Sequence, residues 1–426
     1  MTSPRVLILA ESCNPEWPSL PVVGYKYARA LMEVCDATLA THPRNRENIE
    51  ATGDIPADRI RYIDTEWLAA PMYKLARRLR GGDEVAWSTN QMMAYPPYIA
   101  FERQARALLR KDSYDLVHRI TPMSPTLPSY LAGRAGVPMI LGPLNGNLDW
   151  PAAFAAEQKR EREGLRKLRG LYRYLPYARS TYQKADAILA AFQHTIDDLD
   201  RADPARIVPV PEVGFDKALF HPGERAPAFS GPGPFTFLFA GRLVPYKVPE
   251  VAVRAFASSE ALRPHRLRIL GDGPERPRLE AMVAKAGAED RITFEGRKSQ
   301  AEVAQAMRAA DAFVFPSIRE LGAGVVIEAM ASGALCVVTD YGAPGDLAAN
   351  GRGVQVPLAP LEEMVGSYRA ALEGCLTDPD AARTMAETAR AHAFKYYTWD
   401  AKAAYTARIY DAVLTGAPLG DFTEYV

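Results

Sequence analysis

Two acidic residues, Glu320 and Glu328, and two basic ones, Arg242 and Lys247, are the side chains whose type and setting most directly suggest chemistry. The stretch Phe235–Val248, FTFLFAGRLVPYKV, reads as an apolar strand that ends in Gly241 and at once presents Arg242 and then Lys247. Open parallel sheets bind ligands at the carboxyl ends of their strands. There a guanidinium can fork onto two oxygens of a diphosphate while a lysine acts as a point charge. Alone, such cations are more often ordinary surface residues. The second stretch, Arg319–Gly333, RELGAGVVIEAMASG, follows another apolar run and opens a helix near Gly324 or Val325. Gly322 and Gly324, with Ala323 between them, let backbone amides come close to a ligand, and a helix start attracts phosphate. Glu320 stands before that helix and Glu328 about one turn inside it. One carboxylate could then reach a sugar and the other a ribose, although Glu328 could equally be an acid that steadies the positive end of the helix dipole.

The elements that must position these residues are βα units. In the first half the expected strands are Arg5–Ala10, Ala37–Thr41, Leu116–His118, Pro138–Gly142 and Ala187–Phe192. In the second they are Phe235–Gly241, Arg266–Gly271, Ile292–Gly296, Ala312–Pro316, Leu335–Thr339 and Gly353–Pro357, with an amphipathic helix on Leu361, Met364, Val365, Tyr368, Leu372 and Cys375. The chain has 426 residues, too many for one ordinary core. The Pro- and Gly-rich Arg225–Pro234 reads as a linker. A domain of residues 1–215, a hinge and linker of 216–234, a domain of 235–395 and a terminal helical stretch of 396–426 follow.

Several motifs together resemble the donor site of the retaining GT-B glycosyltransferases, specifically glycosyltransferase family four (group 1). They are Gly241-Arg242-Leu243 with Lys247, Gly271-Asp272-Gly273-Pro274-Glu275, Phe294-Glu295-Gly296, Pro316-Ser317, and the E-x7-E of Glu320 and Glu328 with its tail through Gly333. More loosely, Asp115-Leu116-Val117-His118 is similar to a strand end whose histidine faces the transferred sugar. Gly214-Phe215-Asp216 with Phe220 and Pro222 resembles a hinge. The resemblance implies an α/β fold of two doubly wound Rossmann-like domains facing a central cleft, with a C-terminal helix crossing back to the N-domain. It implies Glu320, His118, Arg242 and Lys247 in catalysis. It implies Gly24, Gly241, Arg242, Lys247, Arg297, Glu320, Gly322, Ala323, Gly324, Val325 and Glu328 in donor binding. Three positions depart from the family pattern: Val248 replaces a glycine, Gly322-Ala323-Gly324 replaces Phe-Gly-Leu, and Val23-Gly24 replaces Gly-Gly.

The activity implied is transfer of a hexosyl unit, with retention, from a UDP-, GDP- or ADP-sugar to a glycan, lipid-linked or small-molecule acceptor, in polysaccharide or glycoconjugate synthesis. No cofactor or metal is expected beyond that co-substrate: Asp378-Pro379-Asp380 reads as a helix start rather than a metal motif. A sugar-nucleotide epimerase of the same fold, or a non-catalytic sugar-nucleotide-binding subunit, are the alternatives. A dinucleotide dehydrogenase is disfavoured, because Glu11-Ser12-Cys13-Asn14-Pro15 after the first strand has no G-x-G-x-x-G. The 51 basic residues balance 51 acidic ones, which argues against nucleic acid as a partner. Four scattered cysteines, Cys13, Cys35, Cys336 and Cys375, fit a reducing cytoplasm. The run 159–184 and the cluster Lys74, Arg77, Arg78 and Arg80 are basic; a peripheral contact with an anionic membrane and a plain solvated face are equally good readings.

Overall fold

The computed structural model describes residues 3–80, 87–160 and 172–425. The chain forms two compact units: Met1–Asn147 with Glu163–Glu212 and Trp399–Val426, and Leu148–Arg162 with Val213–Thr398.

The first unit is built on β1 (Arg5–Ala10), β2 (Asp36–Thr41), β3 (Ile60–Tyr62), β4 (Leu116–Thr121), β5 (Met139–Leu144), β6 (Ala187–Ala190) and β7 (Ile207–Pro209). They pair in parallel in the order β3-β2-β1-β4-β5-β6-β7. Val6 to Ala10 and all of Leu116 to Thr121 are buried, as expected for strands covered on both faces by helices. The terminal helix Trp399–Thr415 packs in this unit. Thr406 meets Tyr27 Oη at 2.6 Å, and the fully buried Lys402 donates to the Pro211 carbonyl. Burial pulls the Lys402 ammonium down to about 7, opposed in part by the Glu212 carboxylate.

The second unit is built on β8 (Thr236–Ala240), β9 (Arg266–Leu270), β10 (Ile292–Gly296), β11 (Ala312–Phe315), β12 (Leu335–Asp340) and β13 (Val354–Pro357), in the parallel order β10-β9-β8-β11-β12-β13. The strand order reverses between β8 and β11, the point at which a doubly wound sheet opens a crevice at its carboxyl edge. The core there is aromatic: Phe237 packs on Phe256 of the helix Pro249–Ala257 with centroids 5.5 Å apart, and Phe313 stacks on Phe315 at 5.4 Å. Each such buried ring contributes roughly 1.5–3 kcal/mol. The amphipathic stretch from Leu361 is the helix Leu361–Thr377, which buries Met364, Tyr368, Leu372 and Cys375.

Two segments sit differently from the expected organisation. Arg225–Pro234, read from the sequence as a linker, packs inside the second unit. The nearly buried Asp311 carboxylate accepts from Arg225 Nη2 at 2.5 Å and from the Phe229 amide at 3.1 Å, and the Phe229 ring is buried against Phe235. Leu148–Arg162, counted with the first half, also belongs to the second unit, where the Tyr341 hydroxyl donates to the Asp149 carbonyl at 2.8 Å. Residues 161–171 of the basic run 159–184 lie outside the described residues, so that expectation has no structural counterpart here. Among the described residues no helix is long and apolar enough to cross a membrane.

Candidate functional site

The site lies in the second unit, on the loops that leave β8 and β11. After β8, Gly241 turns the chain, and Pro245–Lys247 makes one 3-10 turn before the helix Pro249–Ala257. After β11, residues 316–323 lead into the helix Gly324–Ala331. The two loops are stitched together. The Tyr246 carbonyl accepts from the Ile318 amide at 3.0 Å and from the Ser317 hydroxyl at 3.2 Å.

On that seam Lys247 Nζ stands 2.5 Å from Glu320 Oε1, and Ser317 Oγ donates to the same oxygen at 2.9 Å. The lysine runs under Gly241, where an added Cβ would lie 3.1 Å from Lys247 Cδ, and its ammonium lies 4.6 Å from the Phe315 ring centroid. Both side chains are mostly withdrawn from solvent, at 10% and 15% exposure. Screening by water is therefore weak, and the ammonium points its charge along one direction instead of sampling many. The Glu320 carbonyl is held by the Ala343 amide at 3.3 Å.

Arg242 is exposed beside this pair and donates to the Tyr246 hydroxyl at 2.7 Å, with its guanidinium 5.8 Å from that ring. Gly322, Ala323, Gly324 and Val325 form the turn into the helix Gly324–Ala331, with Glu328 about one turn inside it. Arg297 directly follows β10 and is exposed. The second unit thus gathers Lys247, Glu320, Arg242, Gly241 and the Gly322–Val325 turn at one edge of its sheet.

Two family departures acquire a physical meaning. Val248, in place of a glycine, has φ 42° and ψ 48°, and Ala323, at the middle of the Gly322-Ala323-Gly324 turn, has φ 46° and ψ 41°. Both are left-handed conformations that cost an L-residue roughly 1–2 kcal/mol. The glycines of Gly271-Asp272-Gly273 have a packing cause as well. A Cβ on Gly271 would stand 1.9 Å from the Gly241 carbonyl oxygen, so the β8 and β9 exits cross backbone against backbone.

The other two expected residues stand in the first unit. Gly24 lies in the helix Leu20–Val34, and a Cβ there would come 2.4 Å from the Ser12 carbonyl oxygen. Close packing of the helix on the β1 exit accounts for this glycine. His118 corrects the expectation that it faces a sugar. It is fully buried in β4, with Nδ1 2.6 Å from the Tyr410 hydroxyl and Nε2 2.8 Å from the Gly142 carbonyl. Both ring nitrogens are engaged, and desolvation lowers its pKa to about 4, so the ring is neutral and structural.

Three contributors were not singled out from sequence. Tyr246 and Ser317 lie within the recognised motifs but are given their roles only by the stitching of the loops. Trp150 packs its ring 5.4 Å from the Arg319 guanidinium, beside Glu320, and the first half of the sequence carries no signal for this. Asp378 caps the helix Pro379–Tyr396 by accepting from the Ala381 amide at 2.9 Å, as its sequence suggested. Among the described residues no cluster of three or more His, Cys, Asp or Glu is placed to hold a metal ion.

The family model described as glycosyl transferases group 1 matches residues 223–392. The D-inositol 3-phosphate glycosyltransferase of Streptomyces scabiei is 30% identical over 344 residues, covering 73% of this chain and 71% of that protein. The D-inositol 3-phosphate glycosyltransferase 2 of Catenulispora acidiphila is 32% identical over 243 residues, 53% of this chain and 56% of that one. The match spans only about half the length of several such curated relatives. Among solved structures, Anabaena HepE in complex with UDP and glucose aligns over 96% of this chain and 100% of its own, with a TM-score of 0.58 at 17% identity. That likeness is one of fold, and it agrees with the expected pair of Rossmann-like domains of the GT-B class.

Proposed function

This chain belongs to the glycosyl transferases group 1, and we propose that it moves a hexosyl unit from a nucleotide diphosphate sugar to an acceptor, with retention and without a metal ion. The observation that carries the reading is the Lys247–Glu320 contact at the crevice where the sheet order reverses. It puts an oriented cation and a carboxylate side by side at the edge where open α/β sheets take their ligands.

In this reading the diphosphate lies against Arg242, Lys247 and the Gly322–Val325 turn, whose amides and helix dipole favour negative charge. As the sugar–phosphate bond breaks, charge grows on the departing diphosphate, and these donors stabilise it without reorganising. Glu320 orients sugar hydroxyls, Glu328 takes the ribose, Gly241 leaves room at the phosphate, and Arg297 stands by the base. The acceptor attacks from the face the diphosphate leaves. The donor is a UDP-, GDP- or ADP-sugar and the acceptor a glycan, a lipid-linked sugar or a small molecule, at the cytoplasmic side of a polysaccharide or glycoconjugate pathway. The test is incubation with each sugar nucleotide and a pool of acceptors, with the anomeric configuration of the product read by NMR. Transfer with retention supports the proposal. Release of an epimerised sugar with no acceptor consumed would replace it by an epimerase.

A further inference from the structure

A surface of the first unit combines an apolar groove with a row of cations on one helix. The groove, of about 620 Å³, is walled by Trp67, Leu68, Tyr95, Ile99, Pro176 and Tyr177. Trp67 stands at its mouth 67% exposed, and Tyr73 on the same helix, Glu66–Arg80, is 62% exposed. Large aromatic rings left in water on a folded surface mark places where something apolar is met.

The helix Trp87–Lys111 forms one wall and continues into a second hollow, of about 450 Å³, lined by Arg103, Arg106, Arg110, Lys111 and Tyr130. Arg103 lines both. Arg103, Arg106 and Arg110 repeat at helical spacing and so share one face. Their hydrogen bonds go to neutral groups: Arg103 to the Tyr177 hydroxyl at 3.4 Å, and Arg106 to the Arg134 carbonyl at 2.9 Å and the Tyr130 hydroxyl at 3.2 Å. Arg134 adds a further cation, its guanidinium 4.9 Å from the Tyr177 ring. The acid on this helix, Glu102, is turned inward and spent. It is fully buried and accepts from Ser129 Oγ and the Leu131 amide. Among the described residues Arg103, Arg106, Arg110 and Lys111 form no ion pair, so the row keeps its positive charge for an outside partner.

We propose that this surface binds a phosphorylated lipid, with its hydrocarbon chain in the groove and its phosphate on the arginine row. A groove of this volume suits a single flexible chain, and the adjoining cations supply what an apolar peptide would not need. Arginine is the side chain suited to phosphate oxygens by its fork of donors. The proposal concerns the first unit alone and stands whether or not the donor assignment holds.

The test uses the full chain with vesicles of phosphatidylcholine alone and of phosphatidylcholine mixed with phosphatidylglycerol, read by co-sedimentation. Geranyl phosphate and inorganic phosphate serve as soluble competitors. The expected result is binding to the anionic vesicles only, displaced by geranyl phosphate and not by an equal concentration of inorganic phosphate. Arg103→Glu with Arg110→Glu should weaken it by about tenfold or more, at roughly 1 kcal/mol for each basic residue at an anionic surface. Trp67→Ser, which leaves the charges alone, should weaken it too while the melting temperature stays near that of the parent. Absence of binding to anionic vesicles, or displacement by inorganic phosphate alone, would overturn the proposal. So would unchanged binding in both variants, which would move lipid contact to the run 159–184. Loss of a dimer in the variants, seen by light scattering, would show a second copy of the chain as the occupant instead. Thermal shift by sugar nucleotides in the same variants should be unaltered, which separates failure here from failure of the donor assignment.

Discussion

Lys247 and Glu320 meet at 2.5 Å although they stand on loops that leave different strands, β8 and β11. The contact is made where those strands lie side by side and the sheet order reverses. A charged pair held there, mostly out of water and braced by Ser317, is pre-set for a charged ligand and costs little to orient when the ligand arrives.

Removing either cation should therefore be felt in turnover. Arg242→Ala and Lys247→Met are each expected to lower kcat by about 10²–10³. Arg242 is exposed, so its loss should leave stability nearly unchanged. Lys247→Met strands a half-buried carboxylate and should cost about 1–3 kcal/mol, part of which Glu320→Gln added to it recovers. Near-normal turnover in both single variants would remove the diphosphate role.

Ala323 in its left-handed turn carries a penalty that glycine escapes. Ala323→Gly should raise stability by about 1 kcal/mol, seen as a higher denaturant midpoint at unchanged slope. Val248→Gly should gain less, because the buried isopropyl group is lost along with the strain. A lower midpoint for Ala323→Gly would contradict the strain argument.

Strand β1 lies where its apolar run puts it, because five consecutive buried residues, Val6 to Ala10, leave a clear pattern. β3 and β7 leave no signal in the sequence: each is three residues long at a sheet edge, too short for any periodicity. In the site, motif order located Lys247 and Glu320, but their contact depends on which strands are neighbours, a long-range fact. Trp150 is remote in sequence from Arg319 and no local signal links them. The sequence pattern puts His118 at a strand end, but β4 runs on to Thr121, so the ring lies within the sheet against Tyr410 and Gly142 instead of at its carboxyl edge.

The buried neutral His118 makes a pH prediction. Its folded pKa, about 4, lies below the ordinary value of 6.5, so the unfolded chain takes up the proton first. Its contribution is fully present above pH 6.5 and is lost as pH falls through 4, about 3 kcal/mol in all. His42 and His392 are lowered in the same way and add to the slope. Denaturant titrations between pH 7 and 4 should show stability falling in the parent and falling less steeply in His118→Leu. Equal slopes would mean that His118 is not held neutral.

Turnover should be unaffected by EDTA, since Arg242, Lys247 and the helix start supply the positive charge that a metal would otherwise bring. Complete loss of activity restored by Mn²⁺ would contradict that.

The central claim, that a sugar nucleotide binds around Lys247 and Glu320, is met most directly by a thermal-shift screen of the chain and of Lys247→Met against UDP-, GDP- and ADP-sugars. Binding to the native state raises apparent stability. At least one donor should raise the melting temperature of the parent and leave that of Lys247→Met unmoved. No shift with any donor, or equal shifts in both proteins, would contradict it.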